Sequence, residues 1–276
     1  MDAGQKSFPG RRRRNTLLTL ILGAVIAFTL VLADISFRST SEWSGWMLVV
    51  GCLFLYLYSI RKRWSTLPVG RVAHWLQFHL YLSALVLLLF LFHLDWQLPS
   101  GWLGVSLAIV FAGTLISGML GIYWSRVVPG LLTRLGDEVI YQRIPGIARK
   151  LNTQADALIM KSVEETDSVA LAEYYENTAH RYFGAPKFQW WRLINSHESQ
   201  HKSERELETL SRYMRPEEIA FADELRDLIR QKNLLNAHHT LQGLLKNWLL
   251  THVTFSIAVL PLLILHIVVV FGFAAL

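Results

Sequence analysis

Four histidines stand inside otherwise apolar stretches of this chain, and they form two pairs with one common separation. His79 and His93 lie 14 residues apart in HLYLSALVLLLFLFH, and His252 and His266 lie 14 apart in HVTFSIAVLPLLILH. On an α-helix 14 residues make almost four turns, ~21 Å of rise, so both members of a pair sit near one face. That distance fits inside a hydrocarbon core ~30 Å thick. Ionisable side chains are costly in lipid and usually mark function there, and imidazole is a common metal ligand. Two helices carrying matched pairs could clamp two metal centres stacked across a bilayer.

Such helices must span a membrane, and the composition supplies them. The chain has 276 residues, 52% hydrophobic, and the apolar ones gather in five runs, roughly 16–35, 44–60, 70–95, 101–124 and 244–274. The second run is the shortest. Trp43, Trp46, Trp96, Trp102, Trp124 and Trp248 lie near the ends of runs, as amphipathic rings do at the headgroup level. The net charge of +6 would suit nucleic acid, but the polar stretch 125–245 is close to neutral. The excess belongs to Lys6, Arg11–Arg14, Arg61, Lys62, Arg63, Arg71 and Lys246, at the flanks of the runs. This asymmetry predicts an integral protein of a bacterial-type inner membrane, in contact with lipid and not with nucleic acid. It puts the N-terminus, the 61–71 loop and 125–245 in the cytoplasm, and 36–43 and 95–101 outside. RRRRNTLLTLILGAVIAF could open a secretory signal, but without a clear small-x-small cleavage site it reads as an uncleaved first span.

These features predict an all-α, polytopic membrane bundle of about five spans with a helical cytoplasmic insertion. The expected divisions are a basic N-terminus (1–15), a four-span bundle (16–124), the insertion (125–243) and the fifth span (244–276). HLDWQLPSGW turns the third span into the fourth through Pro99-Ser100-Gly101. SRVVPGLLTRLGDEVIYQRIPG reads as a connecting segment broken by Pro129 and Pro145. Within 146–235 three helical stretches are expected, the first running as ALIMKSVEETDSVALAEYYE and the last opening on Pro216-Glu217-Glu218. The insertion has room for a modest core. No internal repeat or low-complexity tract stands out.

In this topology the third and fifth spans run parallel, which pairs His79 with His252 at the cytoplasmic level and His93 with His266 at the opposite level. A neutral imidazole can ligate through one nitrogen while the other donates a hydrogen bond. Two imidazoles filling both axial positions of a haem iron suit electron transfer and leave no open site for oxygen. The single cysteine, Cys52, excludes an intrachain disulfide and a cysteine-ligated iron–sulfur cluster, and the absence of CxxCH excludes covalent haem.

At these four histidines the chain resembles the transmembrane di-haem b-type cytochromes. Two families share histidines ~14 apart on two parallel helices. They are the cytochrome b of quinol-oxidising complexes and the membrane domain of ferric reductases and NADPH oxidases. The resemblance implies two haems b held by His79, His93, His252 and His266 as axial iron ligands, with quinone or quinol as a further candidate cofactor. It does not extend to the insertion. Ten residues follow His266 and no GxGxxG motif is present, so electrons are expected to come from a quinol or a separate subunit. The partners so implied are a multihaem cytochrome c, an iron–sulfur protein or a flavoprotein. The implied task is one-electron transfer between the quinone pool and that partner; the alternative is a ferric-reductase-like module fed by a cytoplasmic flavoprotein.

Other readings of single features stand beside these. Membrane histidines also serve as proton relays in transporters. His238 lies 14 residues before His252 and extends the series, while the position 14 before His79 is Ser65. His74 is ~140° around the helix from His79 and cannot share its face. HESQH, from His197 to His201, matches a zinc-protease pattern but sits in a uniformly charged stretch that suits a solvated helix face. Arg61, Arg71 and Arg126 either set topology or pair with haem propionates. Gly51, Gly113, Gly118 and Gly121 either admit a porphyrin or simply pack helices.

Overall fold

A computed structural model describes residues 8–35, 40–63, 70–136, 139–184 and 205–273. The expected all-α architecture is what these residues form. Helices α1 (Phe8–Ile35), α2 (Thr40–Arg63), α3 (Val72–His93) and α4 (Gly101–Arg134) are followed by a 3-10 turn at Tyr141–Arg143. Then come α5 (Ile144–Thr166), α6 (Ala170–Tyr174), a π-helical turn (Tyr175–Ala179), α7 (His180–Phe183), a helical stretch at 205–211, and α8 (Pro216–Phe273). Five helices, α1 to α4 and α8, are long and apolar enough to cross a membrane.

Two elements differ from the sequence expectation. Helix α4 does not stop near 124 but continues through Pro129 to Arg134. A proline inside a helix forfeits one backbone bond yet leaves the flanking turns intact. The fifth span is not a separate element beginning at 244: α8 runs unbroken over 58 residues, from the acidic start at Pro216 to Phe273. Between 235 and 244 the only breaker is a lone glycine, which helices tolerate. The first helical stretch of the insertion is in turn divided. Asp167 adopts the left-handed conformation (φ 49°) and ends α5, and the Arg215 guanidinium donates to the Thr166 carbonyl left exposed there (2.8 Å).

The chain forms two compact units, Met1–Leu115 with Ile257–Leu276, and Ile116–Ser256. In the first, α2 and α3 make the most extensive helix contact. Its core holds Leu30, Leu48, Cys52, Val86, Leu89 and Phe111, with Leu263 packed against it. Gly51 permits the approach, because a Cβ there would lie 2.7 Å from Val86 Cγ2. Large apolar side chains such as Phe28 (66% exposed) and Ile264 (61%) point away from the chain, as lipid-facing residues do. The α3–α4 hairpin closes through left-handed Asp95 and Trp96 and through Gly101 at φ 77°.

The second unit is built on a different principle, with the larger of the two apolar clusters at its centre. Ile144, Ala148, Leu151, Ala155, Leu158 and Ile159 repeat along α5 at helical intervals and face Leu171, Phe183, Leu207, Ala222, Leu225 and Ile229. Glu218 closes the start of α8 by accepting from the Arg215 N–H at 2.9 Å.

Two outcomes follow from this packing. Gly51→Ala should destabilise the α2–α3 pair by ~1–3 kcal/mol through overpacking. Adding Val86→Ala should recover part of that loss in a double-mutant cycle read by thermal unfolding in detergent. The Glu218 carboxyl is held below its ordinary value of 4.5 by Ser168 and by the Arg215 N–H. A depressed folded value means that the start of α8 is stabilised above about pH 4.5 and loses that support as the pH falls through the lowered value. Hydrogen exchange at residues 216–220 should accelerate over that acidic range in the wild type, and much less steeply in Glu218→Gln.

Candidate functional site

His93 is the last residue of α3, and the first turns of α2 are built around it. Its Nδ1 lies 3.0 Å from the Ser41 carbonyl oxygen, with the Ser44 hydroxyl at 3.4 Å. A carbonyl only accepts, so Nδ1 carries the proton and donates it, which leaves Nε2 with the lone pair. Gly45 gives the ring its room, since a Cβ there would sit 3.1 Å from His93 Cε1. His266 faces the same place from α8. The two imidazole centroids are 6.3 Å apart and their planes are nearly perpendicular, at 85°. One turn beyond, Trp46 of α2 meets Phe271 of α8 at 5.7 Å.

The chemical capacity of that pair follows from bond lengths. Two imidazole nitrogens, each ~2 Å from one metal ion on opposite sides, put the ring centroids ~6 Å apart. The His93–His266 separation has that value. Among the described residues no group of three or more His, Cys, Asp or Glu side chains is placed to hold a metal ion.

His79 and His252 belong to different units, and each has its own seat. The His79 ring lies 5.1 Å from that of Tyr58 on α2, and the Ser83 hydroxyl donates to the His79 carbonyl at 2.7 Å. His252 has its Nδ1 2.9 Å from the Ser117 hydroxyl of α4. The Trp248 indole stacks on it at 6.0 Å and 21° and donates its N–H to the Ser117 carbonyl at 2.7 Å. A Cβ on Gly118 would touch His252 Cε1 at 3.4 Å, and one on Gly121 would overlap the indole of Trp248. All four histidines are partly buried.

Of the other candidates, Gly51 and Gly121 serve helix packing, against Val86 and Trp248. The Arg61 guanidinium donates to the Gly70 carbonyl at 3.0 Å, while His74 is exposed. His238 is 4% exposed on α8, and the neighbouring His239 stacks on Tyr141 at 5.2 Å. HESQH lies outside the described residues.

Sequence reasoning missed the residues that seat the imidazoles: Ser41, Ser44, Gly45, Tyr58, Ser117 and Trp248. It also passed over a repeat. From the first histidine of each pair to the second, both helices read H-x3-S-x2-V-x6-H: His79, Ser83, Val86, His93, and His252, Ser256, Val259, His266. These offsets all lie near one face. Both serines donate to the carbonyl of their own histidine at 2.7 Å, and both valines are buried. The expectation of no internal repeat is thus corrected over these 15 residues; the surrounding leucines obscure the match. Comparison of the chain with protein-family models, with curated proteins and with solved structures finds no match.

Proposed function

We propose that this protein is a di-haem b cytochrome of the bacterial inner membrane, with its N-terminus in the cytoplasm. It passes single electrons across the membrane between the quinone pool and a partner redox protein. His93 and His266 would hold the outer haem, and His79 and His252 the inner one. The observation that carries this reading is the His93–His266 pair. Its 6.3 Å separation suits two axial imidazoles on one iron. The bond from His93 Nδ1 to a backbone carbonyl leaves the Nε2 lone pair available for ligation. The inner pair rests on the shared 14-residue interval and on the repeated serine and valine between the histidines.

A bis-histidine haem, when bound, supplies a one-electron couple with no open coordination position. The protein's own part is to fix ligand tautomer and spacing. Ser41 and Ser44 do this for His93, and Ser117 and Trp248 for His252. Gly45 and Gly118 leave the space beside each ring that a larger residue would take. The lipid-facing apolar surface keeps both levels out of water.

Protein purified from membranes should give a b-type reduced-minus-oxidised spectrum and about two haems per chain in a pyridine haemochrome assay. A colourless preparation from haem-sufficient cells would sink the reading. His93→Ala and His266→Ala should each lose the same one of the two haems and keep the other. Loss of different haems from these two variants would contradict the pairing. Adding a quinol should reduce the haems without a flavoprotein; reduction only on adding a flavoprotein would favour the ferric-reductase-like alternative.

A further inference from the structure

Resting on the haem reading above, we propose that Ser117 is the positioning residue of the inner ligand. Its hydroxyl accepts the Nδ1 proton of His252, which directs Nε2 to the iron and sets the donor strength of that imidazole.

The direction we assign to this hydrogen bond follows the pattern of the chain's other helical hydroxyls. A serine or threonine hydroxyl inside a helix commonly gives its own proton to the carbonyl four residues back. This chain does so at Ser83, Ser256 and Thr114, at 2.7 to 2.9 Å. What a helical serine then offers a neighbouring helix is its lone pairs. The 2.9 Å contact from Ser117 Oγ to His252 Nδ1 therefore reads as N–H donating to oxygen. With Nδ1 protonated, the lone pair of the neutral ring is at Nε2.

The seat around this bond has little freedom. Ser117 is only 6% exposed, so water does not readily take the place of its hydroxyl. Its backbone is held as well, because the Trp248 indole donates to its carbonyl. Trp248 reaches that carbonyl only because position 121 has no side chain, and the His252 ring lies against Gly118, where a Cβ would meet its Cε1 in ordinary contact at 3.4 Å. Ser117, Gly118 and Gly121 on one helix thus receive Trp248 and His252, one turn apart on the other. These contacts fix the ring plane, and the hydroxyl fixes the proton.

The outer ligand is treated differently. His93 gives its proton to a backbone carbonyl, which no substitution removes. The two levels should therefore respond unequally to a change of side chain. An acceptor on Nδ1–H raises the basicity of a ligating imidazole and favours the more highly charged, oxidised metal. Removing it should raise the reduction potential of one haem and leave the other where it was.

The test compares the full-length wild type with Ser117→Ala, Ser117→Thr and Ser117→Cys. Redox titration followed by visible absorption should find one haem of Ser117→Ala shifted towards easier reduction by about tenfold in its equilibrium, ~59 mV for one electron. The other haem should stay unmoved, and Ser117→Thr should behave as wild type. Ser117→Cys keeps the size but accepts poorly, and it carries the same readout if the alanine variant fails to accumulate. A second measurement needs no haem: in apoprotein, ¹⁵N shifts of His252 should report the Nδ1–H tautomer in wild type and lose that preference in Ser117→Ala. Unchanged potentials together with unchanged tautomer would overturn the proposal, as would an equal shift of both haems or of Ser117→Thr. A wild type that never binds haem would instead overturn the function proposed above, while the apoprotein spectrum would still decide the role of Ser117.

Discussion

Hydrocarbon offers a polypeptide no hydrogen-bonding partner, so a segment that crosses it must close its backbone bonds within itself. This constraint makes the five long helices of the chain obligatory, and it has a second effect on the site. A helix with every bond closed has a fixed rise and phase, so an interval counted in residues becomes a distance and a direction. The 14 residues between His79 and His93, and between His252 and His266, are for that reason a statement about space. The glycines act within the same frame. Gly51 and Gly121 let neighbouring helices approach until Val86 and Trp248 occupy the place of a side chain, and Gly45 does the same for His93.

Two of the four paired histidines have Nδ1 against an oxygen from a neighbouring helix: a carbonyl and a hydroxyl for His93, a hydroxyl for His252. In a low-dielectric medium a polar hydrogen that lacks an acceptor is expensive, so such a contact restricts the ring strongly. A histidine that gives one nitrogen to the protein keeps the other for a metal, and the His93–His266 separation leaves room for one.

The spans were legible because apolar runs of about twenty residues have few other uses, and the start of α8 was legible because Pro216 and two acids make a good first turn. The continuity of α8 and the extension of α4 past Pro129 were not. A lone glycine or proline weakens a helix by an amount that surrounding packing can outweigh, and a sequence does not display that packing. The histidine faces could be drawn from periodicity alone. Their seats could not, because Ser41 precedes His93 by 52 residues and Ser117 precedes His252 by 135. One signal was present and passed over: the serine and valine shared by the two histidine segments, hidden among leucines.

That shared pattern restricts how the two segments can change over time. Replacing one apolar residue by another between the histidines leaves both rings where they are, so the leucines and isoleucines are free to drift. Adding or deleting a single residue turns everything beyond it by ~100° and carries one histidine off the common face. A compensating change in the other helix would have to arise at the same interval. Under the proposed di-haem reading the two segments are open to substitution and closed to insertion, and their lengths are bound together as those of two rulers that must agree.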